Sequence, residues 1–242
     1  MQLIAHRGES AHFPENTIAA FDAALSTADA LELDLGLTRD GEIVILHDET
    51  LDRTTNGSGR LADCDWAEIA RLDAGSWFGE AFASERVPRI DQVLELYRGR
   101  IDLNFELKAE AFAEPASIAD PLGKLLALLG RDTRGILVSS FDWRILRDLS
   151  RRRPGLKIGV LQDGGELARA LEAARAVEAA SIHLERTLVD DDAVARVHAD
   201  NRKLLVYTVD EREELRRLRS LGVDGVFTNS TRSAGQSLAS FS

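Results

Sequence analysis

The chain of 242 residues has a single cysteine, Cys64, so no disulfide framework can hold it together. Cys64 lies in a polar stretch that gives no reason to read it as a thiolate nucleophile. No apolar run approaches the roughly 18 residues that a membrane-crossing helix needs. Positive charge is also in deficit: 30 Lys and Arg against 41 Asp and Glu leave a net charge of -11. That field repels nucleic acid and anionic membrane surfaces, so a bound phosphate must be held by cations placed beside it. Met1 to Ala5 run straight into the first polar motif with no basic region or cleavage site, and the expectation is a cytoplasmic protein. Repeats and low-complexity tracts are absent as well, which removes solenoids and disordered linkers from consideration.

What is present is a series of short apolar runs, each ending in polar residues. Eight of them read as strands: Leu3 to His6, Ala30 to Leu35, Ile101 to Leu107, Gly135 to Ser140, Lys157 to Leu161, Ser181 to Leu184, Lys203 to Val209 and Gly225 to Thr228. Helical segments separate most of them. The segment Thr17 to Ala28 places Ile18, Phe21 and Leu25 on one face, and Asp142 and Asp210 are good N-cap types for two later helices that stop near Pro154 and Gly222. Strand-helix alternation of this kind predicts a parallel sheet, and eight strands predict an α/β fold closed into a (β/α)8 TIM barrel with functional residues at the carboxyl ends of the strands. One chain of 26.6 kDa can bury the single core this requires.

A ninth run, Glu42 to His47, follows the second strand too soon for a parallel crossover. Asp40-Gly41 is a favoured two-residue hairpin turn, and counting back from it sets Arg39 against Glu42 and His47 against Asp34. Residues 48–88 then form a long, turn-rich stretch with a short helical piece around Trp66 to Leu72, expected to be a small cap inserted at the strand ends of a single domain. Ser230 to Ser242 read as a loose tail.

Glu32 and Asp34 are two apart on a strand, so both side chains leave the same face, opposite Leu31, Leu33 and Leu35. Two carboxylates held that close repel unless a cation or a proton lies between them. Glu106, at the end of the next barrel strand, can supply a third oxygen, and three carboxylates without sulfur suit a hard ion such as Mg²⁺ or Ca²⁺. His6 ends the first strand and His47 ends the hairpin; imidazoles titrate near neutrality and can take and return protons. Arg7 and Lys108 follow His6 and Glu106 directly and can hold a phosphodiester, or else pair with the nearby carboxylates. His183, without a partner motif, reads as a core residue, His12 and His198 as surface residues, and Asn16 and Thr17 as a helix cap.

In order along the chain stand His6-Arg7-Gly8, Pro14-Glu15-Asn16-Thr17, Glu32-Leu33-Asp34, Thr38-Arg39-Asp40-Gly41, His47-Asp48 and Glu106-Leu107-Lys108. Together they resemble the glycerophosphodiester phosphodiesterase family, and the segment Leu51 to Gly57, Ser140-Phe141 and Gly222-Val223-Asp224-Gly225 extend the similarity over nearly the whole chain. The resemblance implies a barrel with a small insertion after the hairpin and a divalent cation on Glu32, Asp34 and Glu106. It further implies His6 and His47 as the acid-base pair, Arg7 and Lys108 on the phosphate, and cleavage of small glycerophosphodiesters, such as glycerophosphocholine or glycerophosphoethanolamine, to glycerol 3-phosphate and an alcohol. Two departures stand out. Where the family commonly has Trp-Thr-Val-Asn this chain has Tyr207-Thr208-Val209-Asp210, with the Tyr207 ring available to a glycerol or head group, and Thr228-Asn229-Ser230 lacks the usual proline. A lipid phosphodiesterase and a noncatalytic phosphodiester-binding protein are the alternatives the residues leave open.

Overall fold

The computed structural model describes residues 1–113 and 120–239. Eight parallel strands close on themselves: β1 (Gln2–His6), β2 (Ala30–Leu37), β4 (Asp102–Leu107), β5 (Ile136–Ser140), β6 (Lys157–Gln162), β7 (Ser181–Glu185), β8 (Lys203–Tyr207) and β9 (Gly225–Thr228). Each pairs with its neighbours in this order, and β1 completes the ring by pairing with both β2 and β9. The fold is the (β/α)8 barrel that the alternation predicts. Around it lie α1 (Ile18–Ala24), α3 (Ile90–Tyr97), the short α4 (Ala109–Phe112), α5 (Pro121–Leu129), α6 (Trp143–Arg152), α7 (Leu167–Ala176), α8 (Asp191–Ala199) and α9 (Arg212–Leu221).

The period-two pattern of β2 decides which groups enter the barrel. Leu31, Leu33 and Leu35 are fully buried in the core cluster that strands and helices share, so Glu32 and Asp34 must point the other way, into the barrel. Thr17 accepts from the Ala20 amide and starts α1, whose Phe21 ring meets Tyr97 of α3 edge-to-face at 5.9 Å. Gly222, at φ 85°, ends α9 in the left-handed conformation that a side chain would resist. No helix among the described residues is long and apolar enough to cross a membrane.

Three expectations need correction. The hairpin partner of β2 is β3 (Ile43–Ile45), but the register pairs Leu35 with Ile45 and Leu37 with Ile43, one residue away from the predicted alignment. The turn holds three residues, not two: Thr38 N–H donates to the Glu42 carbonyl at 3.0 Å, Gly41 N–H returns to the Thr38 carbonyl at 3.0 Å, and Gly41 takes φ 79°. Thr38 selects this form, since its hydroxyl donates to Asp40 at 2.6 Å and accepts from the Glu42 amide at 2.9 Å. Leu46, not His47, therefore lies across from Asp34 and donates its N–H to the Asp34 carbonyl at 3.0 Å. Asp210 does not cap α9, which begins at Arg212 behind Glu211. The supposed loose tail is a helix, α10 (Thr231–Ala239), tied down by Glu9, whose buried carboxylate accepts from Thr231 N at 2.9 Å and from its hydroxyl at 2.7 Å; residues 240–242 lie outside the described residues.

Residues 48–88 carry only short elements, among them α2 (Trp66–Ile69), and an apolar cluster of their own: Leu51, Leu61, Ile69, Ala74 and Val87 around Val44 and Leu46 of the hairpin. The helical piece expected around Trp66 to Leu72 is thus present but shorter. Cys64 is half-buried there, and burial pushes its thiol pKa up, away from a reactive thiolate.

Candidate active site

The carboxyl ends of β1, β2 and β4 bring the charged residues together. Oxygen atoms of Glu32, Asp34 and Glu106 all lie within 4.8 Å of one another. Register explains this: His6 pairs with Glu32, and Asp34 pairs with Glu106. Glu32 Oε1 is buried and has no hydrogen-bond partner, whereas Oε2 accepts from the Arg7 amide at 3.0 Å. Burial, then repulsion by Asp34 and Glu106, pushes the Glu32 pKa well above the usual carboxylate range. Burial also raises Glu106, with Asp34 adding to it. Burial works on Asp34 in the same direction, but Lys108 and Arg7 outweigh it and hold this carboxylate ionised to lower pH than usual. An orphaned oxygen among three crowded acids is a donor set short of positive charge, and it fits a hard divalent cation.

Lys108 and Arg7 supply part of that charge. Lys108 Nζ lies 2.9 Å from Asp34 Oδ1 and also hydrogen-bonds Glu106, and Arg7 Nε is 3.2 Å from Asp34 Oδ2. Of the two roles open to these cations, the carboxylate pairing is therefore present. Arg7 has φ 58° and Gly8 φ 84°, a tight turn in which a Cβ on Gly8 would meet the Ala20 backbone at 2.7 Å. A non-glycine residue in this conformation is strained, and strain of this kind collects at functional sites. Asn16, at φ 58°, is no helix cap: its Nδ2 donates to Asp34 Oδ2 at 2.9 Å, while Thr17 alone caps α1.

The two imidazoles sit in different surroundings. Burial, then the charge of Arg7, lowers the His6 pKa to about 4, and its Nδ1 lies 2.8 Å from Asn229 Oδ1. His47 Nδ1 lies 2.6 Å from Asp48 Oδ1, and His47 is close enough to Asp34 and Glu106 for its charge to favour ionisation of both. Hydrogen bonds from Arg53 hold the Asp48 carboxyl down at about 2. Arg53 also grips Glu15 through two nitrogens at 2.8 Å each, and Glu15 in turn accepts from Arg7 Nη1 at 2.9 Å. His47, Asp48 and Lys108 line a cavity of about 790 Å³. On the far side of the barrel mouth Tyr207 meets Phe141 edge-to-face at 5.9 Å, and the buried Tyr207 hydroxyl has no hydrogen-bond partner.

Sequence reasoning did not find Glu15, Asn16, Asp48, Arg53, Asp210 or Asn229 as parts of this network. Glu15, Asn16, Asp48 and Arg53 all lie inside segments singled out as motifs, which was the available signal. His183 is a buried core residue, bonded to Ser181 Oγ at 2.8 Å, and His12 and His198 are exposed, as expected.

The strand ends of the barrel thus gather three acids and two cations, with two imidazoles close to them. Residues 6–233 match the glycerophosphoryl diester phosphodiesterase family, and the chain belongs to it. The glycerophosphodiester phosphodiesterase of Caldanaerobacter subterraneus is 42% identical over 229 residues, covering 94% of this chain and 93% of that one. The Bacillus subtilis enzyme of the same name is 32% identical over 246 residues, covering 93% of this chain and 82% of that one. A solved phosphodiesterase from Oleispira antarctica, in complex with the product sn-glycerol-3-phosphate, superposes with a TM-score of 0.89 at 28% identity over 99% of this chain and 97% of that chain.

Proposed function

We propose that this glycerophosphodiester phosphodiesterase is metal-dependent, with Glu32, Asp34 and Glu106 holding one Mg²⁺ or Ca²⁺ and His6 and His47 moving the protons. The observation that carries the reading is the buried, unpartnered Oε1 of Glu32, a residue that also offers a carboxylate oxygen within 4.8 Å of oxygens from Asp34 and Glu106. The ion, when bound, polarises the phosphoryl oxygens and offsets the charge of the transition state. Arg7 and Lys108, already on the rim of that charge, hold the diester. His6, neutral because of its burial, takes the proton of the attacking oxygen. His47, its ring oriented by the Asp48 carboxylate at Nδ1, protonates the leaving alkoxide. The insertion at residues 48–88 serves as a cap that carries Asp48 and Arg53 to the site.

The substrates are small glycerophosphodiesters with a cationic head group, such as glycerophosphocholine or glycerophosphoethanolamine. In support, Phe141 is 42% exposed beside Tyr207, and Asp163, Glu106 and Glu185 are near enough to act on the Tyr207 hydroxyl. Aromatic faces ringed by carboxylates favour an ammonium group.

The test is release of glycerol 3-phosphate from diesters of cationic and neutral head groups, with Mg²⁺ or Ca²⁺ and with chelator. His6→Ala and His47→Ala are expected to lower kcat by roughly 10² to 10⁴ with circular dichroism unchanged. Full turnover in either variant removes the acid-base assignment, and full turnover after exhaustive chelation removes the metal.

A further inference from the structure

The carboxylate of Asp210, which does not cap the helix that follows it, is spent on the end of β9. Its Oδ1 accepts from the Asn229 backbone N–H at 2.7 Å and from the Thr228 hydroxyl at 2.9 Å, and its Oδ2 accepts from Asn229 Nδ2 at 2.6 Å. A carboxylate at neutral pH can only accept, so the NH₂ end of the Asn229 amide must face Asp210. The amide cannot turn round. Its oxygen is therefore presented to His6 Nδ1 at 2.8 Å and to the Ser10 hydroxyl at 3.0 Å. An amide oxygen likewise only accepts, so in the neutral ring the proton must reside on Nδ1, which leaves Nε2 as the nitrogen with a free lone pair.

We propose that Asp210 and Asn229 are positioning residues, Asp210 locking the Asn229 amide and Asn229 in turn fixing the tautomer and tilt of the His6 ring. The inference rests on the proton-transfer role given to His6 above. Its chemistry makes a definite demand on substitutions. In Asp210→Asn the new side chain can keep the Asn229 N–H and the Thr228 hydroxyl on its oxygen, but it then turns an NH₂ toward Asn229. The Asn229 amide flips to accept from it, its own NH₂ faces His6, and the ring must move its proton to Nε2. In the double swap Asp210→Asn/Asn229→Asp the carboxylate has only changed places. It accepts from the new amide on one side and from His6 Nδ1–H on the other, and the original tautomer returns.

Long-range ¹H–¹⁵N NMR of the His6 ring in the metal-free protein near pH 7.5 reads the tautomer directly. The wild type is expected to show Nδ1–H, Asp210→Asn to show Nε2–H, and the double swap Nδ1–H again. In the metal-loaded enzyme Asp210→Asn is expected to lose roughly 10- to 100-fold in kcat with KM within about threefold, and the double swap to recover most of it. Asp210→Ala, which frees the amide without replacing its partner, is expected to give a mixture of tautomers. The proposal is overturned if His6 keeps Nδ1–H in Asp210→Asn, or if the double swap is no better than the single variant in both tautomer and kcat. A tautomer that switches on schedule while kcat stays constant supports the positioning and overturns instead the proton-transfer role of His6.

Discussion

Lys108 holds its ammonium 2.9 Å from Asp34 Oδ1 and donates a further hydrogen bond to Glu106. Both acids raise its pKa against the pull of burial, so it stays charged across the neutral range. Removing one partner of a buried ion pair leaves the other uncompensated, at a cost of roughly 3 kcal/mol. Lys108→Met is therefore expected to lower the melting temperature of metal-free protein by about 6 to 12 °C, taking a few degrees per kcal/mol for a chain of this size. Added Mg²⁺ is expected to recover more stability in the variant than it adds to the wild type. An unchanged melting temperature in chelator, measured by calorimetry, would show that the ammonium does not neutralise these acids.

Glu32 should behave in the opposite sense. Its pKa is raised in the folded state, so its stabilising contribution is complete below the unfolded value of 4.5 and is lost as pH rises through the folded one. At pH 8, far above the unfolded value, this carboxyl is then a net burden to the metal-free fold, because the unfolded chain ionises it more readily than the folded one. Each unit of the shift corresponds to about 1.4 kcal/mol. Glu32→Gln removes the charge at nearly constant volume, and the expected outcome is a metal-free protein that melts higher than the wild type at pH 8, by more there than at pH 5. The same variant is expected to show no Mg²⁺-dependent rise and little turnover. A lower melting temperature in chelator would contradict the crowded-acid account of this site.

Arg53 closes a chain of contacts from residues 48–88, through Glu15, to Arg7 at the end of the first strand. Its guanidinium meets both oxygens of Asp48, at 2.6 and 2.9 Å, and both oxygens of Glu15, so the orienting partner of His47 and that of Arg7 share one clamp. Being 44% exposed, the side chain contributes little to stability, under about 1 kcal/mol. Its effect is on geometry, where small misplacements are costly. Arg53→Leu is expected to lower kcat about tenfold with the melting temperature nearly unchanged, and Arg53→Lys to recover little, since an ammonium cannot fork onto two carboxylates. Steady-state kinetics with full kcat in Arg53→Leu would separate the clamp from the chemistry.

The parts of this enzyme legible in the sequence are those set by strand periodicity. Alternation of Leu31, Leu33 and Leu35 with Glu32 and Asp34 fixes which residues enter the barrel, and that is why the acidic triad could be named before the structure. Parallel pairing then brings Glu106 beside Asp34 with no further information. The hairpin register was not legible because a side chain decided it: the Thr38 hydroxyl, bonded to Asp40 and to the Glu42 amide, favours a three-residue turn where Asp40-Gly41 alone suggests two. The roles of Asn16, Asp210 and Asn229 depend on contacts between residues 18 and as many as 223 apart in the chain. Local rules assign Asn16 and Asp210 to helix caps, and only the closed barrel shows where their side chains go.

His183 offers a test away from the catalytic end. It lies in the middle of β7, fully buried, with Nε2 2.8 Å from Ser181 Oγ and Nδ1 unpartnered. Gly159 on the neighbouring strand makes room for the ring, since a Cβ there would lie 2.5 Å from it. Burial lowers the His183 pKa to about 3 from an unfolded value of 6.5. Between those values the unfolded chain binds a proton that the folded one refuses, so stability is constant above pH 6.5 and falls as the pH drops toward 3. The limiting slope is about 1.4 kcal/mol per pH unit. His183→Asn keeps a donor for Ser181 and does not titrate, so it is expected to be less stable than wild type at pH 7.5, where it loses packing, but to fall less on acidification. The gap between the two proteins should close by about 1.6 kcal/mol from pH 6.5 to 5, read from urea unfolding in chelator. Contributions from the acidic triad enter both curves and cancel in the difference. A gap that stays constant over that range would mean that the folded protein protonates His183 as readily as the unfolded chain does, and hence that the barrel interior is wet at this depth.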